Sequence, residues 1–418
     1  MFKLKSVVTR QKLGFLSAVA IFMLGWGYIT LKVFFPSTSS QGLDFDVIWL
    51  AGRIWLEGQN PYDSSTFSAK AIETFGYARQ AEWFYPPSWA PVSIVMGIFP
   101  FGVAEWLWRL INYLALSGIV VTTILWLRQR ISIEWTDSKL WLGAAYGYFL
   151  QATPIAISLG QTSIISTFGM MLALYAMGCG SLFWATAGLY LLSLKPQLAI
   201  IFLVAIFFGG LYRVAISGGL AVFLAGTIAF VLSGFQSNLN GFLNNLDAHS
   251  GLTVNQPANL TGITNLLNYK LPTQALIAIA IISGLVLGFL IRRYRIPIGK
   301  KNAYSNLISQ QSENLLSLQW VVTLISIIIF LIPLHHYDFV FLIPVAIIIL
   351  YISPCWYQLL LAPGVLLGLR PGNLATIVGL KSQAELFPPY QNIFYSISAF
   401  LLCMGIMGNM ILYIRTNN

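Results

Sequence analysis

Charged side chains are scarce in this chain of 418 residues. Asp, Glu, Lys and Arg together make up 9% of it, whereas soluble domains carry about 25%. Hydrophobic residues reach 57% and the mean hydropathy is +0.75. So few polar side chains cannot cover a surface that faces water, which excludes a soluble enzyme. We therefore predict an all-α polytopic membrane protein.

Cysteine and histidine are almost as rare, with three of each. Cys179, Cys355 and Cys403 lie in or beside apolar runs without metal-ligand spacing, which excludes a disulfide framework or a cysteine-based zinc site. The net charge of +10 comes from basic residues scattered between apolar segments. That distribution is typical of the positive-inside bias and predicts no nucleic-acid partner.

Long apolar runs dominate the chain, and a helix that crosses a bilayer needs about 20 such residues. The segment 86–100 is shorter and bounded by prolines, so it predicts an interfacial or re-entrant helix. We treat residues 1–418 as one integral membrane domain with about 12 transmembrane helices. The predicted helices are 14–35, 103–127, 139–157, 163–180, 182–195, 197–212, 214–233, 273–291, 317–334, 340–353, 355–369 and 394–414.

The basic residues also predict an orientation. Residues 1–13 are basic, and the run that follows is too long for the core of a signal peptide, so we expect it to stay as the first helix. With this N-terminus in the cytoplasm, most basic residues, including those of the loop 296–316, fall on the inner side of a cell membrane, and the C-terminus does too. The outer segments are then 36–100, which we call the first outer loop, 234–272 and 370–393.

Two carboxylates follow the first helix directly. Asp44 and Asp46 open the stretch 44–57, whose apolar residues recur at helical spacing. This pattern predicts an amphipathic helix at the bilayer surface, where lipid-linked substrates present their headgroups. The alternative is a pair of solvated carboxylates that favour the N-terminus of a helix. Tyr62 and Tyr85 are either substrate contacts or parts of a turn and a helix start.

Polar residues also interrupt the apolar runs further along the chain. Gln161 follows Gly160 and indicates either a water-filled cavity at a broken helix or a helix-packing contact. Lys195 precedes Pro196 and Gln197 in an apolar region, where a lysine costs about 2.5–3.5 kcal/mol to insert. It either binds a phosphate as a point charge or extends to the membrane interface.

A third polar cluster, His335-His336-Tyr337-Asp338, separates two late apolar runs. Histidine can donate to a phosphate oxygen or move a proton near neutral pH. An ordinary polar hairpin is the alternative. In the predicted topology this cluster lies on the same outer side as Asp44, Asp46, Tyr85, Gln161 and Lys195, so we predict that they form one site.

Five segments in this order resemble glycosyltransferase family 87, the DUF2029 group, over roughly residues 42–340: DFDVIWLAGRIWLEGQNPYD, FYPPSWAP, GQTS, LKPQ and HHYDF. The resemblance implies a GT-C-type fold whose first outer loop carries a catalytic aspartate. It implies a polyprenyl-phosphate-linked sugar donor, mannose or a similar hexose, a lipid or glycan acceptor, and inversion at the anomeric carbon. Asp44 matches the aspartate of the D-F-x-V-x-W-x-A pattern. Asp46 is an additional carboxylate, so the choice of base stays open.

The resemblance also implies roles for the remaining polar residues. His335 and His336 match the late histidine region of the family, without showing which one acts. Either carboxylate would deprotonate the acceptor hydroxyl, and a cation at Lys195, His335, His336 or Arg370 would stabilise the departing phosphate. Because such a cation makes a divalent ion redundant, we expect no metal ion or other cofactor. A membrane transporter or lipid flippase is the competing class, but no inverted repeat is evident. The predicted binding residues are Tyr62, Tyr85, Gln161, Lys195, Gln197, Asp338 and Arg370.

Overall fold

The computed structural model describes residues 2–35, 43–77, 83–250, 273–294, 307–332, 334–352 and 358–371, with short pieces at 296 and between 373 and 408. Over these ranges the chain is helical and contains no β-strand, which confirms the all-α prediction. Short 3-10 turns form at Pro87–Trp89 and His336–Phe341. The helices are α1 Phe2–Phe34, α2 Leu43–Leu56, α3 Ser64–Phe75, α4 Ala90–Ile98, α5 Phe101–Arg130, α6 Ser138–Phe149, α7 Ala152–Leu159, α8 Ser163–Cys179, α9 Leu182–Ser193, α10 Pro196–Phe208, α11 Tyr212–Ser233, α12 Phe235–Ser250, α13 Thr273–Arg293, α14 Leu307–Leu331, α15 Leu342–Ile349 and α16 Gln358–Leu369.

Three described helices are long and apolar enough to cross a membrane: Gln11–Phe34 of α1, and the whole of α5 and α11. The pair α7 and α8 passes the same test together, but the two helices are bent by 114°. By contrast, α9 and α10 have 12 and 13 residues, or about 18–20 Å at 1.5 Å per residue. A hydrocarbon core is about 30 Å thick. The count of about 12 crossings therefore stays a prediction.

One predicted span is broken in the structure. The run 139–157 forms two helices, because α6 ends at Phe149 and α7 begins at Ala152. Between them, the backbone N–H of Gln151 donates to the carbonyl of Leu369 at 2.8 Å. A hydrogen bond to α16 thus replaces one that a continuous helix would have made. Hydropathy does not detect such a break, since the residues on both sides are equally apolar.

The first outer loop folds into short helices that pack on each other. The predicted helix over 44–57 is present as α2, but it is buried on most sides rather than lying open on a surface. It crosses α4 so closely that a Cβ on Gly52 would lie 1.8 Å from the carbonyl oxygen of Ser93. With nine residues, α4 is too short to span a membrane, as predicted for the segment 86–100.

The ends of α8, α9 and α10 determine where the polar residues meet. α8 and α9 pack together at Gly169 and Gly188, where an added Cβ would lie about 2.6 Å from backbone atoms of the other helix. The start of α8, the end of α9 and the start of α10 therefore share one end of the molecule. The first outer loop covers that end, since the Trp89 indole N–H donates to the carbonyl of Leu194 at 2.9 Å.

Candidate active site

The break between α7 and α8 holds Asp44. Gly160 ends α7 in the left-handed conformation, with φ +71°, and packs directly against Phe45 of α2. The indole N–H of Trp108 donates to the Gly160 carbonyl at 2.7 Å and fixes this turn. The next residue, Gln161, then donates its side-chain amide to the Asp44 carboxylate. Gln161, which the sequence placed at a helix break, thus binds Asp44, the candidate catalytic aspartate.

The two candidate carboxylates of α2 point to different sides, as residues two positions apart in a helix must. Asp44 is half-buried and faces Gln161. Asp46 is 1% exposed, and its carboxylate lies 3.5 Å from the Tyr77 hydroxyl, just beyond α3. The structure therefore places Asp44 in the polar cluster and Asp46 between α2 and the segment after α3.

A buried ion pair forms the second half of the cluster. Lys195, at the α9–α10 junction, binds the carboxylate of Asp338 with both side chains almost inaccessible to solvent, at 5% and 1% exposure. The Ser163 hydroxyl, at the first residue of α8, donates to the same carboxylate at 2.5 Å. The backbone N–H of His335 donates to its other oxygen at 3.1 Å. The α9–α10 junction, the α7–α8 break and the 335–338 hairpin thus all contact the same carboxylate.

Two tyrosines lie between Asp44 and Asp338. Burial raises the pKa of the Tyr85 hydroxyl well above its usual range, and the negative charges of both carboxylates add to this shift. The same causes raise the pKa of Tyr337, whose ring centroid lies 4.8 Å from the Lys195 ammonium. Both phenols are therefore neutral at neutral pH, and each lies close enough to both carboxylates for their charges to act on it.

The hairpin residues differ in their ionisation. Burial opposes the charge of Asp338, but the charges of Lys195 and then His335 outweigh it and hold the pKa of this carboxyl below its usual value. Burial, and then the neighbouring His335, lowers the pKa of His336 to about 4. At neutral pH, Asp338 is thus ionised and His336 is neutral, while His335 is half-exposed beside the ring of Tyr337.

Tyr62, Gln197 and Arg370 are not among the side chains that bind Asp44 or Asp338 in the described part of the chain. The buried Tyr62 donates its hydroxyl to the Tyr85 carbonyl at 2.5 Å, so it supports the backbone of that residue. Gln197 is exposed in the first turn of α10. Arg370 donates at 2.9 Å to the carbonyl of Phe149, the last residue of α6. Phe149 precedes α7, whereas Gln161 follows it.

Three residues of the site received no role from the sequence. Ser163 and Tyr337 lie within the quoted GQTS and HHYDF segments, and a polar residue that opens a helix after a glycine break is a usable signal for Ser163. Trp108 gives no such signal, because it is one of 13 tryptophans in an apolar chain. Among the described residues, no three His, Cys, Asp or Glu side chains are grouped closely enough to hold a metal ion.

One of three comparisons with known proteins gives a match. The family model of glycosyltransferase family 87 matches residues 83–309, which is more than half of the chain and includes Tyr85, Gln161 and Lys195. Asp44 and the 335–338 hairpin lie outside the matched range. The curated proteins and the solved structures that were compared give no significant match. The match does not favour a transporter, and on its extent the chain belongs to glycosyltransferase family 87.

Proposed function

We propose that the protein is an inverting glycosyltransferase that moves a hexose such as mannose from polyprenyl phosphate to a hydroxyl of a lipid or glycan acceptor. Family membership supports sugar transfer, and the apolar helices support a donor that stays in the membrane. One observation carries the proposal: Asp44, a half-exposed carboxylate held by Gln161, shares a cluster with the buried cation Lys195. A base and a phosphate ligand are the two groups that this reaction needs.

Asp44 is the proposed general base. The Gln161 amide binds one of its oxygens and thereby orients the carboxylate. Asp44 takes the proton of the acceptor hydroxyl as that oxygen attacks the anomeric carbon from the face opposite the phosphate. The bond from that carbon to the phosphate oxygen breaks, and the polyprenyl phosphate leaves with the electron pair. General-base catalysis of this kind contributes about 10²–10⁴-fold to the rate.

The phosphate is proposed to bind near Lys195. α8 and α10 begin at Ser163 and Pro196, next to the ion pair, and the 3-10 turn of the hairpin begins at His336. The N-terminus of a helix favours an anion, because its first N–H groups and the helix dipole are positive. A lysine beside such termini stabilises the charge that develops on the leaving phosphate. His335 is a second candidate donor in this scheme.

The reaction is proposed to take place on the outer face of the cell membrane and to need no metal ion. The basic residues support this orientation, since they are enriched in the segments on the opposite side. A fixed cation at the phosphate supports metal independence. Activity that is lost with a chelator and restored by a divalent ion would contradict that part of the proposal.

The test uses purified protein, polyprenyl-phosphate-linked mannose and related sugars, and a panel of lipid acceptors, with donor consumption and product measured together. Asp44→Asn should lower turnover by about 10²–10⁴-fold. Asp46→Asn is the matched control and should stay within a few-fold of the wild type, because its carboxylate faces Tyr77. Full activity of Asp44→Asn, or transfer from soluble nucleotide sugars, would refute the proposal.

A further inference from the structure

The protein binds both oxygens of the Asp338 carboxylate. One oxygen accepts hydrogen bonds from Ser163 and Lys195, and the other accepts from the backbone N–H of His335. The side chain is 1% exposed. A carboxylate with three donors and no accessible surface can neither take a proton from an acceptor hydroxyl nor bind a sugar. Its role must therefore be exercised through one of these three partners.

The ammonium of Lys195 is bound less completely. It carries three N–H donors. One binds Asp338, and the ring face of Tyr337, at 4.8 Å, accounts for a second. Among the residues that the structure describes, Lys195 has no further polar partner. Because the side chain is almost entirely buried, an N–H without an acceptor is costly unless a ligand supplies an oxygen.

We infer that Asp338 is a positioning residue that acts through Lys195, holding the ammonium so that its third N–H meets the phosphate of the donor. This inference rests on the proposed function. Ser163 and the backbone N–H of His335 hold the Asp338 carboxylate in place. The carboxylate and the Tyr337 ring in turn hold the Lys195 ammonium. In this arrangement only the ammonium contacts the substrate. These contacts connect the α7–α8 break, the α9–α10 junction and the 335–338 hairpin, which are distant in the sequence.

A double-mutant cycle tests this chain of contacts, because residues that act as one unit are not additive. Asp338→Asn and Lys195→Met should each raise the donor KM and lower kcat, with kcat/KM for the donor falling about 10–100-fold, the range of one charge-assisted hydrogen bond. The acceptor KM should change by less than about threefold. The double variant should be no worse than Lys195→Met, since the ammonium that Asp338 positions is already absent.

Lys70→Met is the matched control, because it removes a lysine from a partly exposed ion pair between α3 and Glu57 and leaves the Lys195–Asp338 pair in place. It should keep kcat/KM within a few-fold of the wild type. If Asp338→Asn fails to fold around the unpaired ammonium, the double variant should restore the folded yield, which supports the pairing. A double variant whose loss equals the product of the two single losses would overturn the inference, and so would equal rises in donor and acceptor KM.

A binding measurement separates this inference from the proposed function. Polyprenyl phosphate without a sugar is added to each variant in detergent, and the shift in thermal unfolding is recorded. The wild type should be stabilised, and Asp338→Asn and Lys195→Met should be stabilised much less. If the wild type binds in this way but transfers no sugar, the proposed function fails while the inference stands. Equal stabilisation of all three proteins would overturn the inference even if sugar is transferred.

Discussion

Replacing Gly160 with alanine should displace the proposed base without touching it. A Cβ at this position would lie 2.6 Å from the Cβ of Phe45, whereas ordinary contacts begin at about 3.4 Å, so α2 must move by about 1 Å. Phe45 is the neighbour of Asp44 in the chain. A misplacement of about 1 Å at a reacting group costs about 10²-fold in rate. Alanine at φ +71° adds roughly 1–2 kcal/mol of backbone strain.

Gly76→Ala separates the two effects. Gly76 ends α3 at φ +77°, and no described atom lies within 4 Å of the position that its Cβ would take. It therefore carries the same backbone strain without the contact. Thermal unfolding in detergent should show a loss of about 1–2 kcal/mol for Gly76→Ala and a larger loss for Gly160→Ala, which adds the contact with Phe45. In the donor-consumption assay, only Gly160→Ala should lose about 10²-fold of turnover.

The comparison of the two variants tests whether the α7–α8 break positions Asp44. Turnover of Gly160→Ala equal to that of Gly76→Ala would show that the α7–α8 break does not position Asp44. A second substitution, Phe45→Gly in the Gly160→Ala background, removes the Cβ that the added methyl would meet and should recover part of the activity. Without such recovery, the loss would belong to some other change in the fold.

Further predictions concern the helix contacts and the orientation. Trp108→Phe leaves a buried carbonyl without its donor and should lower the free energy of unfolding by about 1–3 kcal/mol in detergent. Gly169→Ala inserts a Cβ against the backbone of α9 and should reduce the yield of monodisperse protein, whereas Gly102→Ala, with open space among the described residues, should not. In a cysteine-free background, an impermeant thiol reagent should label Ser64→Cys on intact cells but not Ser132→Cys. Both serines are exposed, and the reverse labelling pattern would place the proposed site in the cytoplasm.

Much of the architecture follows from local sequence properties. Apolar composition predicts a helical membrane protein, and the spacing 44–57 predicts α2. The prolines that bound 86–100 predict a short helix there, as α4 shows. The number of crossings does not follow in this way. The break near Gln151 lies inside a run that the sequence predicts as one span, and α9 and α10 are shorter than the spans predicted for them.

Local sequence also determines only part of which residues form the site. The sequence by itself determined that Asp44, Gln161, Lys195 and the 335–338 hairpin are polar interruptions of an apolar chain, since that depends only on residue type and neighbours. Tertiary structure decided their partners: the bond from Gln161 to Asp44 spans 117 positions and the Lys195–Asp338 pair spans 143.

The same distinction separates residues that look equivalent in the sequence. Asp44 and Asp46 differ by two positions, and only the packing of α2 against the α7–α8 break decides that Asp44 faces the cluster. Arg370 carries the same charge as Lys195, yet it anchors to the Phe149 carbonyl. A sequence specifies which side chains can carry charge. Where that charge lies depends on the rotation of each helix about its axis, and contacts between distant segments determine that rotation.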